Sequence, residues 1–175
     1  MLHIGIDPGK EGVIVSIDSD SNEIIIKVIP KLSGTHLIDE HELNSIFYNI
    51  KPFQHHVVLE DVHAMFGSSA KSTFSFGDTC GLIRGMIIAH NLRFTKVNPK
   101  IWQKEMFQGI PEIRKPSKTP GKVGRLDTKP MSIMAAKRLF PEISLKRTIR
   151  SKKDSDGISD ALLMAEYSLR KYRTK

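Results

Sequence analysis

The sequence has very little cysteine and no long apolar run. Cys80 is its single cysteine, which excludes an internal disulfide bond and a cysteine-rich zinc site and suits a reducing compartment. No stretch approaches the roughly 20 apolar residues that a membrane-spanning helix needs. The first residues form a strand pattern and not the apolar segment of a signal peptide. We therefore expect a cytoplasmic protein with no membrane partner.

Acidic residues are scarce in the second half of the chain. Residues 1–100 hold nine Lys or Arg and eleven Asp or Glu, a balance of −2, whereas residues 101–175 hold eighteen and eight, a balance of +10. The two balances add to the net charge of +8. Because many of these cations cluster with glycine and proline, the pattern favours contact with a polyanion, nucleic acid first.

Hydrophobic periodicity predicts a single α/β domain over residues 1–175. The predicted strands are 2–7, 12–18, 23–29, 55–61 and 93–97. The predicted helices are 39–50, 72–91, 99–106, 131–141 and 155–172. Three antiparallel strands followed by alternating helices and strands predict a mixed five-stranded sheet flanked by helices. This element order is that of ribonuclease H-like folds, and actin-like ATPase domains share it.

Four acidic residues lie where predicted strands end or where the last predicted helix begins. Asp7 ends the first strand and Glu60 the fourth, while Asp156 and Asp160 lie on one face of the last helix. If the two strands are neighbours, the carboxylates converge. Two charges 4 Å apart repel by roughly 4 kcal/mol at an effective dielectric of about 20, which divalent cations such as Mg²⁺ can offset. Taken singly, each acid could also form a turn, remain solvated or favour a helix N-terminus.

Residues 109–130 predict a mobile basic loop. The segment contains four prolines, three glycines, six Lys or Arg and two acids. With the basic run 146–153, it is expected to contact DNA phosphates without reading the base sequence. The loop residues assigned to DNA are Arg114, Lys115, Lys118, Lys122, Arg125 and Lys129. If divalent ions held by the carboxylates act on a phosphodiester, Lys153 is expected to balance charge on the phosphate. Lys152 is either a DNA contact or part of a solvated basic run.

Three segments resemble the RuvC-type Holliday junction resolvases, especially their phage and phage-like members. They are "IGIDPGKEG", "VVLEDVHAMFGSSAKSTFSFGDTCGLIRG" and "DSDGISDALLMAEY", in the order that the family has. The resemblance implies a ribonuclease H-like fold, a homodimer and no nucleotide cofactor. It also implies an endonuclease that uses Mg²⁺ or Mn²⁺, with two ions per active site, to cut opposing strands of a four-way DNA junction and leave 5′-phosphates.

The resemblance also assigns the active-site residues. Those matched directly as metal-binding and catalytic are Asp7, Glu60 and Asp160. The bacterial enzymes carry a fourth acid three residues before the last aspartate, where this chain has Gly157. Asp156, four residues before it as in the organellar resolvases, is assigned this role, with Asp154 as its competitor. If neither acid is a ligand, the site has three acids.

An aromatic residue just after the fourth strand enters the junction in the resembled family. The equivalent position here holds His63, so the candidates for this role are Phe66, Phe74 and Phe76. Core packing is the alternative role for Phe74 and Phe76. Lys71, in the same segment, is assigned to DNA contact.

Two glycines mark the predicted helix at 72–91. Gly81 and Gly85 lie four residues apart and lower helix stability by about 1 kcal/mol each relative to alanine. Their use is expected to be the close approach of another backbone. That backbone belongs either to a second copy, with residues 76–91 in a dimer interface, or to the same domain.

Three other functions fit parts of the sequence. An actin-like ATPase would use "DPGKEG" as a phosphate loop, but the chain lacks a second Gly-rich nucleotide motif and a second lobe. A nuclease of the same fold could act on flaps, replication forks or RNA–DNA hybrids with the same carboxylates. A non-catalytic junction binder would not need the four acids.

Overall fold

Five Ile- and Val-rich segments form one mixed sheet. A computed structural model of the chain describes residues 1–9, 11–63, 69–117 and 119–172. The strands are β1 (Leu2–Asp7), β2 (Val13–Asp18), β3 (Ile24–Val28), β4 (His55–Glu60) and β5 (Phe94–Val97). Their order is β3-β2-β1-β4-β5, with β1, β2 and β3 antiparallel and β1, β4 and β5 parallel. The predicted mixed five-stranded sheet is confirmed.

Helices cover both faces of the sheet. They are α1 (Glu40–Ile50), α2 (Ala70–Ala89), α3 (Pro99–Met106), α4 (Thr128–Leu139) and α5 (Asp156–Tyr172). One core cluster joins the sheet to α3, α4 and α5, and a second joins it to α1 and α2. None of the helices in the described part of the chain is both long and apolar enough to cross a membrane.

Side chains along β1 point alternately to the two faces of the sheet, which determines which residues face α5. Ile4 and Ile6 pack in the cluster of α1 and α2, so His3, Gly5 and Asp7 face the opposite side. A Cβ atom at position 5 would lie 2.1 Å from the carbonyl oxygen of Ala161, in α5. Since no side chain fits there, Gly5 lets α5 lie directly on β1, which brings the start of α5 to the end of β1 that carries Asp7.

The predicted starts of two helices need correction. Helix α4 begins at Thr128, three residues earlier than expected, because Pro130 lies in its first turn, where a missing backbone N–H is tolerated. Lys129 therefore belongs to a helix and not to the basic loop. Helix α2 begins at Ala70, two residues early, since the Ser69 side chain caps it by accepting a hydrogen bond from the Ser72 backbone N–H.

The basic segment before α4 is ordered at its base, which corrects the expectation of a mobile loop throughout. Arg114 and Leu126 form an antiparallel bridge. The Lys115 N–H donates to the Arg125 carbonyl at 2.9 Å, and the Asp127 N–H donates to the Ile113 carbonyl at 2.7 Å. These backbone bonds hold the two arms together and leave the tip, near residues 119–123, exposed.

Candidate active site

Three buried or half-buried carboxylates come together where β1 and β4 end. The strands are parallel neighbours with Ile6 opposite Leu59, so Asp7 and Glu60 follow side by side at the carboxyl edge of the sheet. Asp160 joins them from the second turn of α5, which Gly5 places over β1. These acids lie close enough for their charges to interact, whereas their role as metal ligands stays a prediction.

Burial and mutual repulsion keep these carboxyl groups from ionising readily. Burial is the main cause that raises the pKa of Asp7 to about 6 and that of Glu60 to about 7. The charge of Asp7 adds to the rise at Glu60. The pKa of Asp160 lies well above its usual range, first through burial and then through the charges of Asp7, Glu60 and Asp156. Such shifts in adjoining groups are typical of functional sites, since a structural role rarely needs them.

Each of these carboxylates accepts a hydrogen bond from its own chain. Asp7 Oδ1 accepts from the Gly9 backbone N–H at 3.0 Å. Glu60 Oε1 accepts from the indole N–H of Trp102 at 3.2 Å, and Asp160 Oδ1 accepts from the Ser132 hydroxyl. The bonds restrict the rotamers of the acids.

Sequence reasoning missed both side-chain donors, although each left a signal. Trp102 is the only tryptophan of the chain and is completely buried, and a buried indole N–H needs an acceptor. Ser132 is a polar residue within the apolar pattern of α4, and its side chain is 1% exposed. A buried hydroxyl likewise needs a partner.

The fourth predicted acid, Asp156, is held differently. Its Oδ2 lies 2.5 Å from Nζ of Lys129. Burial alone would raise the pKa of Asp156, but the bond to Lys129 and its charge outweigh burial and lower it. The competitor Asp154 instead pairs with Lys137, with Nζ 2.6 Å from Oδ2. Asp156, and not Asp154, is therefore the acid whose charge acts on Asp7 and Asp160.

Gly157 lets the first turn of α5 approach β1. A Cβ atom there would lie 3.0 Å from Oδ2 of Asp7 and 3.4 Å from the backbone oxygen of Glu11. An acidic side chain at this position, where the bacterial members of the resembled family carry one, would press against Asp7. This crowding disfavours an acid at position 157, and the assignment of Asp156 as the fourth acid stays a prediction.

The chemistry of these donors fits a hard divalent cation. Magnesium and manganese prefer carboxylate oxygen, and a cation would offset the repulsion that raises the pKa values of Asp7, Glu60 and Asp160. Within residues 1–9, 11–63, 69–117 and 119–172, however, no three acidic, histidine or cysteine side chains already form a group that could hold a metal ion. A cation would therefore have to draw the carboxylates together, in competition with the donors that now hold them.

Several solved structures share this architecture, although no family model and no curated protein matches the sequence. The structure of Thermus thermophilus RuvC in complex with a Holliday junction substrate has a TM-score of 0.55 and 10% identity, over 97% of this chain and 94% of that one. A second Thermus thermophilus RuvC structure has a TM-score of 0.52 and 11% identity, over 97% and 95%. The chain has a RuvC-like fold. The predicted ribonuclease H-like class is confirmed, while the resemblance to phage members stays a prediction.

Several predicted DNA contacts lie on the surface of this RuvC-like fold. Lys71 and Phe74 lie on α2, and the Phe74 side chain is 78% exposed. Core packing is therefore not its role, whereas Phe76 is half-buried. Lys152 and Lys153 are exposed just before α5. The remaining candidates, Phe66 and Lys118, lie outside the described residues.

The loop cations divide into two groups. Arg114 pairs with Glu112 at 2.6 Å and donates to the Gly124 carbonyl, and Lys115 pairs with Asp127 at 3.5 Å. These two side chains thus stabilise the base of the loop. The cations of the second group, exposed and with no ion pair to a described residue, are Lys122 and Arg125.

A cavity beside Glu60 adds two cations that the sequence analysis did not select. It has a volume of about 130 Å³ and lies between the ends of β1 and β4 and helix α2. Arg84 and Lys96 line it together with Glu60 and Cys80. Lys96 also pairs with Asp61. The cavity therefore has Glu60 of the carboxylate cluster and the basic side chains of Arg84 and Lys96 in its lining.

Proposed function

We propose that this protein is a metal-dependent endonuclease that resolves four-way DNA junctions. The observation that carries the proposal is the convergence of Asp7, Glu60 and Asp160, with raised pKa values, at the carboxyl edge of a RuvC-like sheet. One neighbour in fold is RuvC in complex with a Holliday junction substrate, which supports branched DNA as the substrate class. The basic second half of the chain supports a polyanionic partner.

Asp7, Glu60, Asp160 and Asp156 would hold Mg²⁺ or Mn²⁺, and we expect two ions. When bound, such ions activate a water for attack on the phosphorus and stabilise the departing 3′-oxygen, leaving a 5′-phosphate. The chain itself orients the ligands: the strand ends hold Asp7 and Glu60, and Ser132 holds Asp160. Lys153, exposed before α5, is proposed to balance charge at the phosphate.

The DNA backbone would lie across the cations around the carboxylate edge. The exposed cations that we propose as phosphate contacts are Lys71, Lys122, Arg125 and Lys152, with Arg84 and Lys96 beside the cavity. Each neutralised phosphate adds about −0.9 to the slope of log affinity against log salt concentration. Because such contacts carry no base information, junction shape would have to supply the selectivity.

A second copy of the chain, bound through α2, would let the protein recognise the shape of the junction. Cβ atoms built on the glycines of α2, Gly77, Gly81 and Gly85, meet no described atom within 4 Å, so the expected close approach does not occur within the described part of the chain. Phe74 and Ile88 of the same helix are also exposed. A symmetric dimer would present two active sites to two opposing strands. Light scattering should give the mass of a dimer, and Gly85→Leu should shift it toward the monomer.

Cleavage of an immobile synthetic junction tests the activity. The junction is compared with a flap, a fork and a duplex of the same sequences, in Mg²⁺ and in EDTA. We expect paired, symmetric nicks in the junction with Mg²⁺ only. Equal cutting of flap and fork would broaden the function to a branched-DNA nuclease of the same fold. No cutting of any substrate with either Mg²⁺ or Mn²⁺ would reject the proposal.

A further inference from the structure

One cation of the chain already contacts a carboxylate of the candidate active site. The ammonium of Lys129 is 2.5 Å from Asp156 Oδ2. Lys129 therefore neutralises one of the four acids that the proposed function assigns to the divalent ions.

The place of Lys129 in α4 does not help the helix. It lies in the first turn, where the partial positive charge of a helix N-terminus disfavours a cation. That turn has no acidic residue, and the N-cap residue Asp127 makes no side-chain capping bond and pairs with Lys115 instead. The contact with Asp156 accounts for a lysine here better than the stability of α4 does.

The contact is also one that another ion could replace. The Lys129 side chain is 68% exposed and that of Asp156 41% exposed, so solvent screens their attraction. The neighbouring bond from Ser132 to Asp160, in contrast, comes from a buried hydroxyl. Of the two acids of α5, Asp156 is thus the one whose partner can leave with little disturbance of the core.

We propose that Lys129 competes with the divalent cation for Asp156. The inference rests on the proposed function and adds a step to it. In the free protein Lys129 neutralises Asp156, and an ion gains this ligand only by displacing the ammonium. A DNA phosphate offers Lys129 another partner and so releases Asp156. Cation and DNA then bind with positive coupling, which by thermodynamic linkage is the same in either order.

Titration with Mn²⁺ alone tests the competition without any cleavage. The electron paramagnetic resonance signal of free Mn²⁺ reports binding to the wild type and to Lys129→Met. Removal of the competing charge should lower the Mn²⁺ dissociation constant by about tenfold. Lys129→Arg keeps the charge and should retain the wild-type constant.

Helix α4 offers a matched control. Lys137 makes the same kind of ion pair, at 2.6 Å, with Asp154, which is not among the charges that raise the pKa values of Asp7, Glu60 and Asp160. Lys137→Met therefore removes one cation from the same helix and should leave the Mn²⁺ constant within about twofold of wild type. An equal gain in both methionine variants would mean that net charge, and not competition for Asp156, is responsible, and it would overturn the inference.

Repeating the titration with a short DNA duplex tests the coupling. Duplex should tighten Mn²⁺ binding to the wild type severalfold and to Lys129→Met much less. Equal Mn²⁺ affinity of wild type and Lys129→Met, with binding lost in Asp7→Asn, would overturn this inference and leave the proposed function intact. No Mn²⁺ binding by either protein, with or without duplex, would overturn both.

Discussion

The two ends of the β1–β4 pair bury opposite kinds of titratable group. At the carboxyl ends lie Asp7 and Glu60, and at the amino ends His3 and His56 face each other in register. Helix α5 crosses both ends, with Asp160 near the acids and Ser168, eight residues and about 12 Å further along, at the histidines. One helix and two strands therefore form both a candidate active site and its structural counterpart.

The histidine end is hydrogen-bonded and stacked against an aromatic ring. The Ser168 hydroxyl donates to the His56 carbonyl at 3.2 Å and so can accept from His3 Nδ1, also at 3.2 Å. The His56 ring lies 3.1 Å from the Thr95 hydroxyl and stacks on Tyr172 with centroids 3.7 Å apart. Burial, helped by the charge of Arg93, lowers the pKa of His56 to about 4, which keeps this ring uncharged at neutral pH.

The acid end differs because its carboxyl groups still ionise at pH 8, although burial and mutual repulsion oppose their ionisation. A neutral His56 needs no counter-ion, whereas acids whose pKa values are raised to about 6 and 7 carry charge at pH 8 that burial and repulsion disfavour. A protein gains no stability from such a cluster. This difference between the ends agrees with the proposed cation site at the acid end and with a packing role for the histidine end.

Asp7→Asn should give the largest effect on the acid end. The substitution removes a central carboxylate while keeping its shape, so junction cleavage should fall by about a thousandfold or more, which corresponds to about 4 kcal/mol in the barrier. The melting temperature at pH 8 should not fall, because repulsion on Glu60 and Asp160 is relieved.

Asp154→Asn is the matched control for that loss. Asp154 is an acid next to α5 that pairs with Lys137 and is not among the charges that raise the pKa values of Asp7, Glu60 and Asp160. The Asp154→Asn variant should cleave the junction at a rate within about threefold of wild type. Unchanged cleavage by Asp7→Asn, or an equal loss in Asp154→Asn, would contradict the assignment of the catalytic acids.

Gly5→Val should disturb both ends at once. Its Cβ would lie 2.1 Å from the Ala161 carbonyl oxygen and 2.5 Å from the Ala165 nitrogen, so α5 must move off β1. We expect a loss of about 3 kcal/mol or more in the free energy of unfolding, measured with urea, because backbone atoms cannot yield as a side chain does. Gly81→Ala, where a Cβ meets no described atom, should cause no loss. A stable Gly5→Val protein would contradict the close contact.

Glu60→Gln should change the pH dependence of the free energy of unfolding that the acid end causes. The folded-state pKa of Glu60, about 7, lies above its ordinary value of 4.5, so the folded protein binds the extra proton and loses stability as pH rises from about 4.5 through 7. Glutamine never ionises and can still accept from Trp102. The variant should be more stable than wild type by roughly 1–3 kcal/mol at pH 8 and equal to it at pH 4. Urea unfolding at both pH values checks this, and a variant less stable at pH 8 would contradict it.

The sequence could predict the acid end because its signals are local. Strands that stop at Asp7 and Glu60, and a helix that begins near Asp156 and Asp160, are visible in short windows. The donors to these acids were not predictable in the same way, since Trp102 and Ser132 reach them only after α3 and α4 pack on the sheet. The start of α4 was misplaced because a proline inside its first turn was taken for part of the loop.

The histidine end was also beyond local reasoning. His3 and His56 are 53 positions apart in sequence, and only the parallel register of β1 and β4 makes them neighbours. Gly5, in the interior of a strand, was the one signal that could have been used, because such a glycine often marks the close approach of another backbone. Pairing between distant elements, and not the pattern within each, decides which titratable groups share a site.

His56→Phe should give the smallest effect and act in the opposite pH direction. The folded-state pKa of His56, about 4, lies below its ordinary value of 6.5, so the unfolded chain binds the extra proton and wild-type stability falls as pH drops from 6.5 toward 4. Phenylalanine keeps the ring against Tyr172 and removes this proton uptake, although it loses the contact with Thr95. The loss of folding stability between pH 6.5 and 4 should be smaller than in wild type by about 1 kcal/mol, after allowance for solvent screening. Cleavage at pH 8 should be unchanged. Unfolding curves at pH 7, 5.5 and 4.5 measure the slope. An unaltered slope, or a large loss of cleavage, would mean that the histidine end is not the structural counterpart of the acids.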